Sequence, residues 1–298
     1  MGLAFALTSM LCWAVNIFIT RAAMARMPAE LGFVVVLAMN LAFGSLVLAV
    51  ELALRNAPLT LHWEAAGWFV LSGVVGIYLG RRMLLDAVQL LGPSRASVLH
   101  TASPAFTLIG AWLLVGETLG AYELGLMAMI MAGLWCTQPS AKGSADKPPP
   151  SGALLRRAAL LSLLTVAGFG IGNAFRGMAM RNWDEAVLGA LISNVAALVC
   201  LLAANREWRA TALRLRAGNR TGLALFALSG VATMCGTVFG SLAMQRIEIA
   251  IATLISYTTP LVVFPVSVLL LKDRDALNLR TALGAALVLT GIALLALR

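Results

Sequence analysis

The chain contains two copies of one half-length sequence pattern. The segment FVLSGV at 69–74 recurs as FALSGV at 226–231, and other landmarks recur at nearly the same spacing from it. A duplicated half restricts the fold to two copies of one structural unit that pack against each other. The other matched pairs are Pro104 with Pro260, Asn16 with Asn173 and Phe18 with Phe175.

The composition places both copies in a lipid bilayer. Hydrophobic residues make up 60% of the chain and charged residues only 12%, whereas about a quarter of a soluble domain is charged. Apolar runs of about 20 residues, the length that crosses the hydrocarbon core, follow one another with short gaps. These runs are α-helices, because backbone amides cannot stay unpaired in lipid. We predict ten membrane-spanning helices, spans 1 to 10, at residues 2–20, 32–54, 66–88, 95–115, 119–137, 155–178, 184–204, 221–244, 249–271 and 279–297.

Span 1 is interpreted as a membrane helix and not as a cleaved secretory signal. It has a suitable length for a signal, but no Lys or Arg precedes Arg21 and further spans follow it. The four cysteines fall inside spans and form no CxxC pair, so they are interpreted as packing residues. We therefore predict no metal and no other cofactor.

A stretch rich in Pro, Gly and Ser at 140–152 has the composition of a solvated linker. It divides the chain into a first repeat at 1–138, a linker at 139–154 and a second repeat at 155–298. Each repeat then has five spans, and five is odd, so the second repeat enters the membrane from the opposite side. The predicted fold is an all-α polytopic membrane protein with ten transmembrane helices in two inverted five-helix repeats.

The distribution of basic residues predicts the orientation. Of the 22 Lys and Arg residues, 17 lie in or beside the loops that follow spans 1, 3, 5, 7 and 9. The positive-inside rule puts these loops and the linker in the cytoplasm and both termini outside, in the periplasm. The net charge of +9 is then explained by loops that face anionic lipid headgroups, so no nucleic-acid partner is expected.

The segment at 104–134 begins with a proline, continues as an apolar run to a Gly-Glu helix end at Gly116 and Glu117, and closes with a Gly-spaced helix. It resembles the EamA-type transporters of the drug/metabolite transporter superfamily. The second copy has Lys272 and Asp273 in place of the Gly-Glu pair. The resemblance implies an inner-membrane exporter of small metabolites, either a monomer or a weak oligomer. Amino-acid exporters, including the YddG-like aromatic amino-acid exporters, are the favoured subgroup, and a multidrug or nucleotide-sugar carrier is the alternative.

Carriers with inverted repeats bind cargo near the membrane midplane, between the repeats. Span 4 places His100 and Thr101 one turn before Pro104, and span 9 places Tyr257 before Pro260. Polar side chains are costly in lipid, so they face the protein interior or a cavity. They are candidates for substrate binding, and interhelical contact is the alternative. Both prolines are candidate hinges, although proline also occurs in membrane helices that do not move.

Spans 1 and 6 present a second set of polar residues. Trp13 and Asn16 lie on one stripe of span 1, and Asn173 and Arg176 lie on one stripe of span 6. The amides have donors and acceptors for an amino group or a carboxylate, and an indole stacks on apolar or aromatic cargo. The alternatives are interhelical hydrogen bonds for the amides and a lipid-interface position for Trp13.

Span 3 adds Tyr78 and Arg82, four residues apart on a helix that also carries three spaced glycines. Tyr78 is a candidate cavity residue. Arg82 binds a carboxylate of the cargo, reaches the headgroups or pairs with Asp86. The glycines permit close packing against another helix.

The positions of the acidic and other reactive residues distinguish between a drug exporter, a membrane enzyme and other transporters. No Asp or Glu lies near the middle of a span, which disfavours a proton-coupled exporter of cationic drugs. A membrane enzyme would need a cluster of reactive side chains, and His100 has no partner at a suitable spacing. We predict a transporter without enzymatic activity, and a channel remains the third class.

Overall fold

The computed structural model of the chain describes residues 1–55, 59–91, 102–137, 152–205, 207–271 and 279–296. Within these ranges the regular secondary structure is helical and includes no strand. The helices are α1 (Gly2–Met24), α2 (Ala29–Leu54), α3 (Trp63–Leu91), α4 (Ser103–Val115), α5 (Ala121–Thr137), α6 (Gly152–Asn182), α7 (Ala186–Ala204), α8 (Trp208–Arg216), α9 (Arg220–Met244), α10 (Ile249–Tyr257), α11 (Pro260–Leu271) and α12 (Leu279–Ala296).

Several helices are long and apolar enough to cross a membrane. In the described part of the chain these are α1, α2, α3, α6, α7 and α9, and shorter apolar helices accompany them. Span 4 was predicted from residue 95, but α4 is described only from Ser103, and residues 92–101 lie outside the described residues. The count of ten crossings therefore stays a prediction.

The segment predicted as one helix at 249–271 forms two helices instead. α10 ends at Tyr257 and α11 begins at Pro260. Proline disfavours helical backbone at the residue before it, so the chain turns at Thr258 and Thr259. Their hydroxyls donate to the carbonyls of Ile255 at 2.6 Å and of Ser256 at 2.8 Å, which satisfies acceptors at the end of α10.

Both candidate hinge prolines stand in the first turn of a helix. Pro104 is the second residue of α4 and Pro260 is the first residue of α11. At these positions the missing N–H removes no intrahelical hydrogen bond, so neither proline kinks a continuous described helix. Movement at the two sites stays a prediction.

α3 passes close to the backbones of α6 and α7. A Cβ at Gly73 would meet the backbone of Ser193, and a Cβ at Gly76 would meet Gly172. The stretch Gly73–Gly80 is π-helical, with wider hydrogen-bonded turns than an α-helix. Glycine thus allows α3 to pack between two helices of the second half.

The packing is reciprocal between the two halves. α1 packs on α9, and their sequence counterparts α6 and α3 also pack on each other. In the same way, α4 packs on α6 and its counterpart α10 packs on α1. The counterparts α2 and α7 contact each other, and so do α5 and α12. The serines of the duplicated LSG motif also make corresponding contacts across the halves. Ser72 donates to the Gly172 carbonyl at 2.7 Å, and Ser229 donates to Asn16 Oδ1 at 2.6 Å.

The end of the bundle where α1 begins, called here the Gly2 end, joins both halves. Ala6 of α1, Ala111 of α4 and Ile249 of α10 share one buried cluster there. Two ion pairs also cross between the halves: Arg55 with Glu185 at 2.6 Å, and Arg181 with Glu117 at 2.9 Å. α6 therefore ends at the same end of the bundle at which α1 begins.

One helix was absent from the sequence prediction. α8, at Trp208–Arg216, lies between α7 and α9 and carries Arg209, Arg214 and Arg216. Its composition is too polar for a membrane span, so hydropathy gave no sign of a helix there.

Candidate functional site

Three of the predicted site residues meet between α6 and α10. Arg176 donates a hydrogen bond to Oδ1 of Asn173, three residues earlier on α6. Tyr257, the last residue of α10, lies beside both of these side chains. These three side chains form the first part of the candidate site, called here the Arg176 cluster (Asn173, Arg176 and Tyr257).

Two buried hydroxyls border this cluster. Ser103, the first residue of α4, lies beside the Tyr257 phenol, but its Oγ lacks the geometry of a hydrogen bond to any described group. Thr253, one turn before Tyr257 on α10, likewise has a buried Oγ1 with no partner among the residues described. An unpaired buried hydroxyl costs about 1–3 kcal/mol. The site therefore retains hydrogen-bonding capacity next to Tyr257.

The charge of Arg176 has no carboxylate partner in the described ranges. The ion pairs found there join Arg55 to Glu51 and Glu185, and Arg181 to Glu117. The Arg176 side chain is partly buried, and its hydrogen bond to Asn173 uses a neutral acceptor. The guanidinium has five N–H donors in a planar fork, so this contact leaves most of them available.

The Asn16 cluster, formed by Asn16, Thr20, Ser229 and Thr233, lies between α1 and α9. Oδ1 of Asn16 accepts from Ser229 at 2.6 Å, from Thr20 at 3.2 Å and from Thr233 at 3.4 Å. Among the described groups the amide nitrogen of Asn16 has no acceptor, and the residue is 8% exposed. Because three hydroxyls surround the oxygen, Asn16 offers the site a hydrogen-bond donor.

A serine pair joins α10, next to Tyr257, to α1, two turns before Asn16. Ser256, the neighbour of Tyr257, donates to Oγ of Ser9 at 3.3 Å, and Ser9 donates to the carbonyl of Gly236 at 2.8 Å. Trp13, one turn after Ser9, packs against Gly236, where a Cβ would lie 3.0 Å from the indole nitrogen. Along α1, Trp13 thus lies between the contact of Ser9 with Ser256 and Asn16.

Tyr78 and Arg82 do not join these clusters. Tyr78 packs with Phe33 and Leu37 of α2 and with Ala197 of α7. Arg82 is exposed on α3. Their contribution to substrate binding stays a prediction, without support from a contact to the Arg176 or Asn16 cluster.

Two further candidates cannot be placed. His100 and Thr101 lie outside the described residues, so their predicted roles in binding also stay predictions. Pro104, which follows them, is buried at the start of α4. It follows Ser103, which lies beside Tyr257.

The sequence analysis missed Ser103, Ser229 and Thr233. For Ser229 a signal existed, because the LSG motif places a serine at equivalent positions of both halves. Both LSG serines donate a hydrogen bond to the opposite half. Ser72 donates to the carbonyl of Gly172, the residue before Asn173, and Ser229 donates to Asn16. A matched serine and a matched asparagine in a duplicated chain indicate a reciprocal contact.

Metal ligation receives no support in the described residues. They include no group of three or more His, Cys, Asp or Glu side chains positioned to hold a metal ion. The chemistry of the candidate site is therefore that of hydrogen bonding, one positive charge and aromatic contact.

Comparison with known proteins identifies the fold and the family. The model of the EamA-like transporter family matches residues 1–137 and 156–297. A solved crystal structure of a protein superimposes with a TM-score of 0.72 at 18% identity, over 98% of this chain and 96% of that chain. At this identity the likeness shows the fold alone. No curated protein matches the sequence.

Proposed function

The chain belongs to the EamA-like transporter family, whose members are multi-pass membrane transporters built from two repeats, and on this premise we propose that it exports amino acids. The mechanism is secondary transport by alternating access across the inner membrane. The protein performs no covalent chemistry on its cargo. Aromatic amino acids are the favoured members of the class, because Trp13 supplies a ring beside the polar clusters.

The proposed architecture has ten crossings in two inverted repeats, at 1–138 and 155–298. Reciprocal helix packing supports a two-fold relation between the halves. The start of α1 and the end of α6 meet near Ile249, as antiparallel counterparts would. Both termini are periplasmic and the linker at 139–154 is cytoplasmic in this proposal, which rests on the distribution of basic residues.

One observation carries the proposed binding site. Polar side chains of both halves converge inside an apolar bundle, through the contact of Ser256 with Ser9 at 3.3 Å. Burial of polar groups is costly unless a partner compensates it, and hydroxyls next to Tyr257 lack one in the described structure. We propose that the cargo is held by Trp13 and Asn16 of the first half and by Asn173, Arg176 and Tyr257 of the second.

The ion pairs at the Gly2 end support a moving boundary between the halves. Arg55 with Glu185 and Arg181 with Glu117 each join a first-half residue to a second-half residue. Opening the bundle at this end requires both pairs to separate. Access from the Gly2 end is therefore coupled to a change in how the halves pack, as alternating access demands.

Counterflow in proteoliposomes tests the proposal. Vesicles loaded with unlabelled phenylalanine should take up labelled phenylalanine faster than empty vesicles, and the rate should saturate. Asn16→Ala should lower this exchange, whereas Arg209→Gln on the exposed face of α8 should leave it unchanged. Flux without stimulation from the opposite side would indicate a channel. A parent protein that moves no amino acid would refute the proposed cargo.

A further inference from the structure

Arg176 is a partly buried cation that no described carboxylate neutralises. Arg181, five residues later on α6, pairs with Glu117, whereas the described acceptor of Arg176 is the neutral oxygen of Asn173. A buried charge without a counter-ion is destabilising, and an arriving anion removes that cost. The arrangement is therefore suited to an anionic group supplied from outside the protein.

The donors around Arg176 match the shape of a carboxylate. Its planar fork can donate two parallel hydrogen bonds, and Asn173 holds the side chain from one side through a neutral oxygen. Ser103 adds a buried hydroxyl beside Tyr257. A carboxylate has two oxygens that accept several hydrogen bonds, so one such group satisfies the fork and a hydroxyl together.

The charge count separates a carboxylate from other cargo. One guanidinium neutralises one negative charge, whereas a doubly charged phosphate would leave a net negative charge in the bundle. A cationic drug would be repelled by the same guanidinium. We infer that Arg176 anchors the carboxylate of the cargo and that the site selects molecules carrying this group. The inference rests on the proposed function and deepens it, because it defines which part of the cargo is recognised.

The test compares phenylalanine with phenylalaninamide, which has the same ring and amino group without the carboxylate. Hydrocinnamate, which lacks the amino group, and phenethylamine, which lacks the carboxylate, complete the set. Binding is measured as the thermal shift of the purified full chain. Exchange is measured by competition in counterflow. The parent should bind phenylalanine and hydrocinnamate about tenfold or more tightly than the amide and the amine, the ratio expected for a lost charge-assisted bond.

Arg176→Gln should bring the acid-to-amide ratio close to one, and Arg176→Lys should retain part of the preference because it keeps the charge. Arg209→Gln should keep the parental ratio. Equal binding of acid and amide by the parent would overturn the inference, and so would an unchanged ratio in Arg176→Gln. If Arg176→Gln fails to fold, the parental ratio and the Arg176→Lys ratio decide the matter.

The two proposals fail in different ways. Amino-acid exchange with equal acid and amide affinities would leave the exporter in place and remove Arg176 as the anchor. Carboxylate-selective binding without any amino-acid exchange would keep the anchor and refute amino-acid export.

Discussion

Two arginines on α6, five residues apart, are placed in contrasting surroundings. Arg181 donates to Glu117 at 2.9 Å, and its partner carboxylate is only 6% exposed. Arg176 has only the amide oxygen of Asn173 as its described hydrogen-bond acceptor. Where the protein supplies its own carboxylate, the arginine fastens the two halves together. Where the described residues supply none, we propose that the arginine binds the cargo.

Glu117, the partner of Arg181, contacts more than one helix. Gly116, at φ 70°, ends α4 in the left-handed conformation that favours glycine, and the chain then turns back. The Glu117 carboxylate accepts from the backbone N–H of Ile249 at 2.9 Å and of Ala250 at 3.4 Å, so it caps α10 as well as pairing with Arg181. The Gly-Glu motif thus connects the end of α4 to α6 and α10.

The largest expected effect is on transport, from Arg176→Gln. Losing the charged hydrogen bonds should lower kcat/KM for amino-acid exchange by about tenfold to a hundredfold. Tm should not fall, because the substitution removes an unpaired charge. A fall in Tm with exchange preserved would show that Arg176 is structural, and the contrast with Arg181 would disappear.

Glu117→Gln should have the opposite signature. It removes the ion pair with Arg181 and weakens the cap of α10, so the free energy of unfolding should fall by about 1–2 kcal/mol. The acid-to-amide binding ratio should stay at the parental value. Thermal unfolding and the binding ratio are measured on the same sample, and a changed ratio with unchanged Tm would contradict this assignment.

Asn173→Ala should weaken binding to a smaller extent. Arg176 would lose its described acceptor while keeping its charge, so KM for the amino acid should rise about threefold to tenfold. The preference for acid over amide should persist. An effect as large as that of Arg176→Gln would contradict the assignment of the main contribution to the charge of Arg176.

Glu51→Gln is the matched control for the ion pairs and should have the smallest effect. Its carboxylate lies 3.9 Å from Arg55 one turn away and is 40% exposed. Exposed pairs of this kind contribute about 0.5 kcal/mol or less. A loss of stability comparable with that of Glu117→Gln would show that burial does not determine how much an ion pair at the Gly2 end contributes to the free energy of unfolding.

The sequence was informative wherever duplication or hydropathy carried the signal. It predicted an all-helical membrane protein and selected Asn173, Arg176 and Tyr257, which the structure brings together. It could not predict that α10 would end before Pro260, because membrane helices often tolerate proline. It also could not select Ser103, because the sequence does not show which side chains surround a serine in the folded bundle.

Tyr78 illustrates a second limit. Its selection assumed regular α-helical spacing with Arg82, but Gly73–Gly80 is π-helical, and this changes the direction in which successive side chains point. Tyr78 packs against α2 and α7, and its role in substrate binding stays a prediction. Glycine spacing indicated close packing but not the change of helix type.

The acid-to-amide binding ratio, measured in the parent and in Arg176→Gln, tests the central claim most directly. The account predicts that the parent prefers phenylalanine over phenylalaninamide by about tenfold or more and that the variant has almost no preference. A parent that binds both equally, or a variant that keeps the parental ratio, would contradict it.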